Sequence, residues 1–133
     1  MTSSAPHVLI VDDDPAIRRL IELTLRKGGY RYSLAANGLR AIELMEAEPP
    51  DVVVCDLMMP EVDGFQLLMM VKGAPTLARI PVIIITAGGQ QHQVERALKL
   101  GAAACLFKPF STHEFLSTIQ KALDSAGHEP RAY

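Results

Sequence analysis

A chain of 133 residues fits one domain whose core needs no disulfide or metal staple. Nearly half of it is hydrophobic, no tract is of low complexity, and a net charge of −2 leaves no basic excess; this argues against disorder and against nucleic acid or an acidic membrane as the main partner. No apolar run is long enough to span a bilayer, and the start MTSSAP has neither the basic region nor the apolar core of a signal peptide, so a cytoplasmic protein that meets other proteins is expected.

The first predicted strand, His7 to Val11, carries the apolar run of a strand buried on both faces and ends abruptly in Asp12, Asp13 and Asp14. Adjacent carboxylates repel and resist leaving water, so a surface loop is their ordinary place. Their position at the carboxyl end of an apolar strand points instead to a site, since ligands bind at that edge of open α/β sheets. Asp14, followed by Pro15, suits the N-cap of the first helix. That helix sets Ile17, Leu20, Ile21, Thr24 and Leu25 at core spacing, puts Arg18, Arg19, Glu22, Arg26 and Lys27 on its other face, and stops at Gly28 and Gly29. A second strand is predicted from Tyr32 to Ala36. Asn37 and Gly38 then open a helix that turns Leu39, Ile42 and Met45 inward and closes at Pro49 and Pro50.

The third strand, Val52 to Cys55, ends at Asp56. In the segment after it Pro60 and Gly64 shape a turn into the third helix, which runs through Phe65, Leu68 and Lys72; Glu61 and Asp63 belong to that turn and are not ligands. The fourth strand, Val82 to Thr86, leads through Ala87, Gly88 and Gly89 to a helix from Gln91 to Leu100 that carries Val94, Ala97 and Leu98. The fifth, Ala104 to Phe107, ends at Lys108 and Pro109. Beyond it Ser111 and Glu114 form a capping box, with Phe110 and Phe115 as its hydrophobic staple.

Strands and helices thus alternate strictly, which implies a parallel sheet covered on both faces and joined by right-handed crossovers. Residues 1–6 and 126–133 read as flexible tails around a domain from 7 to 125. Cys55 and Cys105 lie in strand-like runs without C-x-x-C spacing and read as buried free thiols. His7, His92, His113 and His128 show no metal-ligand spacing and read as surface residues.

The strand ends gather three acids, a hydroxyl and an amine on one edge: Asp12 and Asp13, Asp56, Thr86, and Lys108. With VDDD near the start, CDLMMPEVDG in the middle, ITA after the fourth strand and FKPF after the fifth, essentially the whole chain resembles the response-regulator receiver domain of two-component phosphorelays. The resemblance implies a flavodoxin-like (βα)5 doubly wound sheet of order 2-1-3-4-5, in which the strands of Cys55 and Cys105 are not neighbours and no disulfide joins them. It also implies that Asp56 accepts a phosphoryl group from a histidine kinase or phosphotransfer protein. Asp12, Asp13, Asp56 and the Met58 backbone carbonyl would hold Mg²⁺ or Mn²⁺, Asp12 mainly through a bound water. Lys108 would pair with the phosphoryl oxygens, Thr86 would donate its hydroxyl to them, and the Lys108–Pro109 bond would be cis.

Output is implied at the face of the fourth helix, fifth strand and fifth helix, through a downstream protein or a homodimer, with no direct nucleic-acid or membrane contact. No reaction is implied beyond the protein's own phosphorylation and dephosphorylation. One position departs from the family: three residues before the lysine, where an aromatic usually turns inward with the threonine, stands Cys105. A thiol cannot fill that volume. Phe107 shares its strand parity but reads as ordinary packing, and the switch would then rest on Thr86 and the loop at Gly88 and Gly89. Met58 and Gly88, beside the phosphoryl site, have no side chain to orient a water, so fast hydrolysis is not expected.

Two other readings compete. Asp12-x-Asp14 also matches the D-x-D of haloacid-dehalogenase-like phosphatases, which would make Asp12 the nucleophile; such enzymes need more chain and a second acidic motif. A pseudo-receiver that serves only as an interaction module would keep the fold without the chemistry, and the retention of all five active positions argues against it.

Overall fold

The computed structural model describes residues 5–87 and 91–126. Strands β1 (His7–Val11), β2 (Arg31–Ala35), β3 (Val52–Asp56), β4 (Val82–Ala87) and β5 (Ala104–Lys108) alternate with helices α1 (Pro15–Lys27), α2 (Gly38–Ala47), α3 (Gly64–Gly73), α4 (Gln91–Lys99) and α5 (Thr112–Ser125). All pairings are parallel and the order is β2-β1-β3-β4-β5. The expected fold is therefore the observed one. Ala5 and Pro6 are tied to β2, their carbonyls accepting hydrogen bonds from Arg31; of the two expected tails, residues 1–4 and 127–133 lie outside the described residues. No helix among the described residues is long and apolar enough to cross a membrane.

The two-residue pleat of the strands divides the core. Leu9, Val11, Val53, Cys55, Val82 and Ile84 meet α2, α3 and α4 on one face, whereas Val8, Ile10, Val52, Val54, Ile83 and Ile85 meet Ile21 and Leu25 of α1 and Phe115 and Ile119 of α5 on the other. Every residue of β1 and β3 is buried, the signature of central strands covered on both sides.

Several expectations are corrected. Leu39 is 57% exposed and Leu98 49%, and Leu20 also faces outward; α2 buries Gly38, Ala41 and Met45, and α4 buries Ala97 alone. His7 is buried within β1, with Nε2 hydrogen-bonded to Ser33 Oγ at 2.7 Å and its backbone N–H donated to Asp51. Cys55 is buried but Cys105 only half so, and both thiols are free.

The helix starts hold the loops at the carboxyl edge. Asp63 and Gln66 cap α3 reciprocally, as Ser111 and Glu114 cap α5, with the Phe110 and Phe115 rings stacked 5.4 Å apart. The first residue of α3, Gly64, donates its N–H to Leu57 O at 2.9 Å and sits so close to the chain leaving β3 that a Cβ there would lie 2.8 Å from Leu57 Cα and 3.0 Å from Asp56 O. Both of those atoms are backbone and cannot swing aside. Gly64→Ala is expected to lower the unfolding free energy by about 1–3 kcal/mol, as overpacking does. A urea midpoint unchanged from wild type would contradict this packing.

Candidate functional site

The order of strands reverses between β1 and β3, and the crevice at their carboxyl ends is where a doubly wound sheet binds ligands. Asp12 follows β1 directly and Asp56 ends β3. Pleat parity sends Asp56, like Val52 and Val54, and Lys108, like Leu106, to the α1 and α5 side of the sheet. The amine of Lys108 reaches both acids, 3.6 Å from Asp56 Oδ1 and 3.8 Å from Asp12 Oδ2.

Asp12 is held firmly. Its N–H donates to Ala35 O across the β1–β2 edge, its carbonyl accepts from the Arg18 guanidinium at 2.7 Å, and its Oδ1 accepts from the Asp14 N–H at 2.9 Å. Its other carboxylate oxygen is buried and accepts no hydrogen bond among the described residues. Asp14 does a separate job: its Oδ1 accepts from Ala16 N at 2.9 Å and caps α1, with Pro15 as the first helical residue.

Burial raises the Asp12 carboxyl above the usual carboxylate range, opposed by the Asp14 N–H and reinforced by the charge of Asp56. Burial likewise raises Asp56, while Lys108 and the Met58 N–H pull it back. Beneath them Cys55 is raised well above an ordinary thiol, by burial first and then by Asp56, and its Sγ donates to the Asp56 carbonyl at 3.3 Å. A thiol so disfavoured as thiolate is packing, not a nucleophile.

Asp12, Asp13 and Asp56 can each offer a carboxylate oxygen within 4.8 Å of the others. An all-oxygen, anionic set suits Mg²⁺ or Mn²⁺, and the Asp12 oxygen without a hydrogen bond is the kind of orphan that a cation satisfies. The donor set fits the metal.

Other expected site residues are placed as follows. Thr86 is buried as the next-to-last residue of β4, which runs one residue further than expected; its hydroxyl donates weakly to the Ala87 carbonyl, 3.4 Å away, and it makes no hydrogen bond to Asp56 or Lys108 among the described residues. The Met58 side chain is exposed, and the Lys108–Pro109 bond is cis. Gly88 and Gly89 lie outside the described residues. Phe107 is 43% exposed on the same side of β5 as Cys105, so the expectation that it belongs to ordinary packing is corrected. Two supports are not apparent from the sequence reading: the Arg18 bond to the Asp12 carbonyl and the Asp63–Gln66 capping box. Only the second has a readable signal, an acid three residues before a glutamine at a helix start.

A doubly wound sheet with three acids and a lysine gathered at its switch point defines a phosphoryl- or metal-handling class of site. The family model of the response regulator receiver domain matches residues 8–120, and the chain belongs to that family. The chain is 37% identical to sporulation initiation phosphotransferase F of Bacillus subtilis over 116 residues, 87% of this chain and 92% of that protein. It is 35% identical to the DNA-binding dual master transcriptional regulator RpaA of a Synechocystis strain over 127 residues, 96% of this chain but 53% of the regulator, about half its length. Among solved structures, the receiver domain of a sensor histidine kinase from Pseudomonas aeruginosa PAO1, with a magnesium ion coordinated in its active site cleft, matches with a TM-score of 0.83 and 30% identity over 90% of this chain and 98% of that one. This is a receiver domain of two-component signalling, and the haloacid-dehalogenase-like reading loses its support.

Proposed function

We propose that Asp56 is the phosphoacceptor of a phosphorelay and that it takes its phosphoryl group from a histidine kinase or phosphotransfer protein. The observation that carries this reading is the convergence of Asp12, Asp13 and Lys108 on Asp56 at the switch point. An Asp56 oxygen forms the new P–O bond, the P–N bond of a donor phosphohistidine breaks, and its electron pair stays with the departing imidazole, which takes up a proton. A carboxylate attacks an anionic phosphoryl group poorly, so positioning and cations must lower the barrier.

Lys108 supplies a fixed cation and leaves the Asp56–Asp12 pair for the incoming phosphoryl oxygens. Asp12, Asp13, Asp56 and the Met58 carbonyl would hold Mg²⁺ or Mn²⁺, whose charge offsets that of the carboxylates and phosphoryl oxygens. Thr86 would turn its hydroxyl from the Ala87 carbonyl toward the phosphoryl group; the present bond is long enough to give up cheaply. Pro109 and Gly64 shape the loops on either side.

The donor protein has a surface to use beside the site: a mostly apolar groove of about 370 Å³ lined by Ile17, Leu20, Lys108, Pro109 and Phe110. Output is assigned to α4, β5 and α5, where Leu98 and Phe107 stand exposed for a downstream protein or a second copy. The protein acts in the cytoplasm, contacts neither nucleic acid nor membrane directly, and catalyses only its own phosphorylation and dephosphorylation.

The test is incubation with acetyl phosphate and Mg²⁺, followed by intact mass and borohydride trapping of the labelled residue. A single metal-dependent phosphoryl adduct mapping to Asp56 is expected. An adduct on Asp12, or none with acetyl phosphate and with a panel of phosphohistidine donors, would overturn the assignment and favour the phosphatase or pseudo-receiver reading.

A further inference from the structure

The position where the family carries its inward-turning aromatic holds Cys105, half-buried on β5, which leaves room for a second link from Asp56 to α4 beside Thr86 and the loop that follows it. We infer that a cation–π contact between Arg96 and Phe65 is that link; the inference rests on the phosphoacceptor reading above.

The Arg96 guanidinium carbon lies 4.2 Å from the centroid of the Phe65 ring, within the range of a cation over an aromatic face. Arg96 belongs to α4, and its guanidinium has no carboxylate partner among the described residues. Phe65 is almost fully buried and is the second residue of α3, directly after Gly64. Gly64 in turn is hydrogen-bonded to Leu57 and lies against the Asp56 carbonyl closely enough that a single added carbon would collide with it. Asp56, Leu57, Gly64 and Phe65 therefore form one close-packed step, and the ring cannot stay still if the backbone at Asp56 shifts.

The receiving end is suited to being moved. Of the side chains of α4, Ala97 alone is buried, whereas α3 buries Phe65, Leu67, Leu68 and Val71 and α5 buries Phe115, Ile119, Ala122 and Leu123. A helix with one fully buried side chain, small at that, and only Gln93 and Val94 half-buried beside it takes more of its position from directed contacts than α3 or α5 does. Arg96 is such a contact, and it joins α4 to the phosphoacceptor loop by a route that bypasses β5.

The experiment follows backbone amide shifts as Mg²⁺ and beryllium fluoride, a phosphoryl mimic, are added to the full chain. In wild type, amides of Asp12, Asp13, Asp56 and Leu57 and those of Val94 to Leu98 should both change. In Arg96→Ala, an exposed position that leaves the core intact, the first group should respond as in wild type and the α4 group should fall several-fold. Arg96→Lys should retain an intermediate response, and Phe65→Leu combined with Arg96→Ala should add nothing to Arg96→Ala alone, as a shared coupling requires. Wild-type-like α4 shifts in Arg96→Ala, with the site responding, would overturn the coupling and leave the phosphoacceptor reading standing. No response at the site in wild type would overturn both.

Discussion

Asp56→Asn is expected to abolish phosphoryl incorporation from acetyl phosphate and, in the same molecule, to raise the stability of the fold at neutral pH. The loss follows from chemistry: an amide has no anionic oxygen with which to attack, Cys55 lies below the site as a protonated thiol, and on the proposed reading the neighbouring carboxylates of Asp12 and Asp13 hold the cation rather than attack phosphorus. The gain follows from electrostatics. Asp56 and Asp12 are both buried and both raised above the ordinary carboxylate value of 3.8, with burial the first cause in each. For an acid whose folded pKa is raised, the folded state binds more protons than the unfolded state between the two values, so stability falls as pH rises through that window. The penalty is fully present above the folded pKa and is relieved as pH falls toward 3.8. Removing one charge at neutral pH should add about 0.5–2 kcal/mol, the usual gain when a functional site is released from its strain. Urea midpoints should show the variant above wild type near pH 7, with the gap closing as the pH falls toward the ordinary carboxylate value of 3.8. A variant less stable than wild type at neutral pH would mean that the ion pair with Lys108 outweighs the cost of burying the carboxylate.

The same opposition between charge and burial explains which parts of the molecule were legible in its sequence. A change from Val11 to Asp12 in one step is a local signal, and repeated at Asp56 and Lys108 it marks one edge of a parallel sheet. Capping at Ser111 and Glu114 is local too, and the stacked rings of Phe110 and Phe115 follow from it. The errors arise where the answer depends on how far a neighbour extends. Helical spacing identifies a stripe but not its width, so it draws Leu20, Leu39 and Leu98 inward although the sheet beneath does not reach them. His7 is buried because β1 is central, with Ser33 of β2 meeting its Nε2 and Asp51 just before β3 its backbone N–H, none of which a surface reading of one histidine contains. Arg96 over Phe65 joins two helices through a contact with no periodic signature at all.

Phe115→Ala is expected to be the most destabilising single truncation, lowering the unfolding free energy by about 3–5 kcal/mol, the range for deleting a buried aromatic. Phe115 is only 1% exposed and heads the largest of the fully buried side chains. It belongs to the core on the α1 and α5 side, together with Val54, Ile85 and Leu106 of the three strands that carry Asp56, Thr86 and Lys108 near their carboxyl ends. It also forms the inner half of the stack that pins Phe110, two residues beyond Lys108. A domain of this size has about 5–15 kcal/mol in all, so the variant should sit near the edge of folding. Phe110→Ala separates the two functions of the stack: half-buried at the rim, it should cost about 0.5–1.5 kcal/mol for the lost ring pair. The test is urea unfolding of both variants with unchanged m-value. If Phe115→Ala cost no more than Phe110→Ala, the ring would be sealing the loop rather than filling the core, and the placement of Lys108 would then depend on the staple instead of on β5.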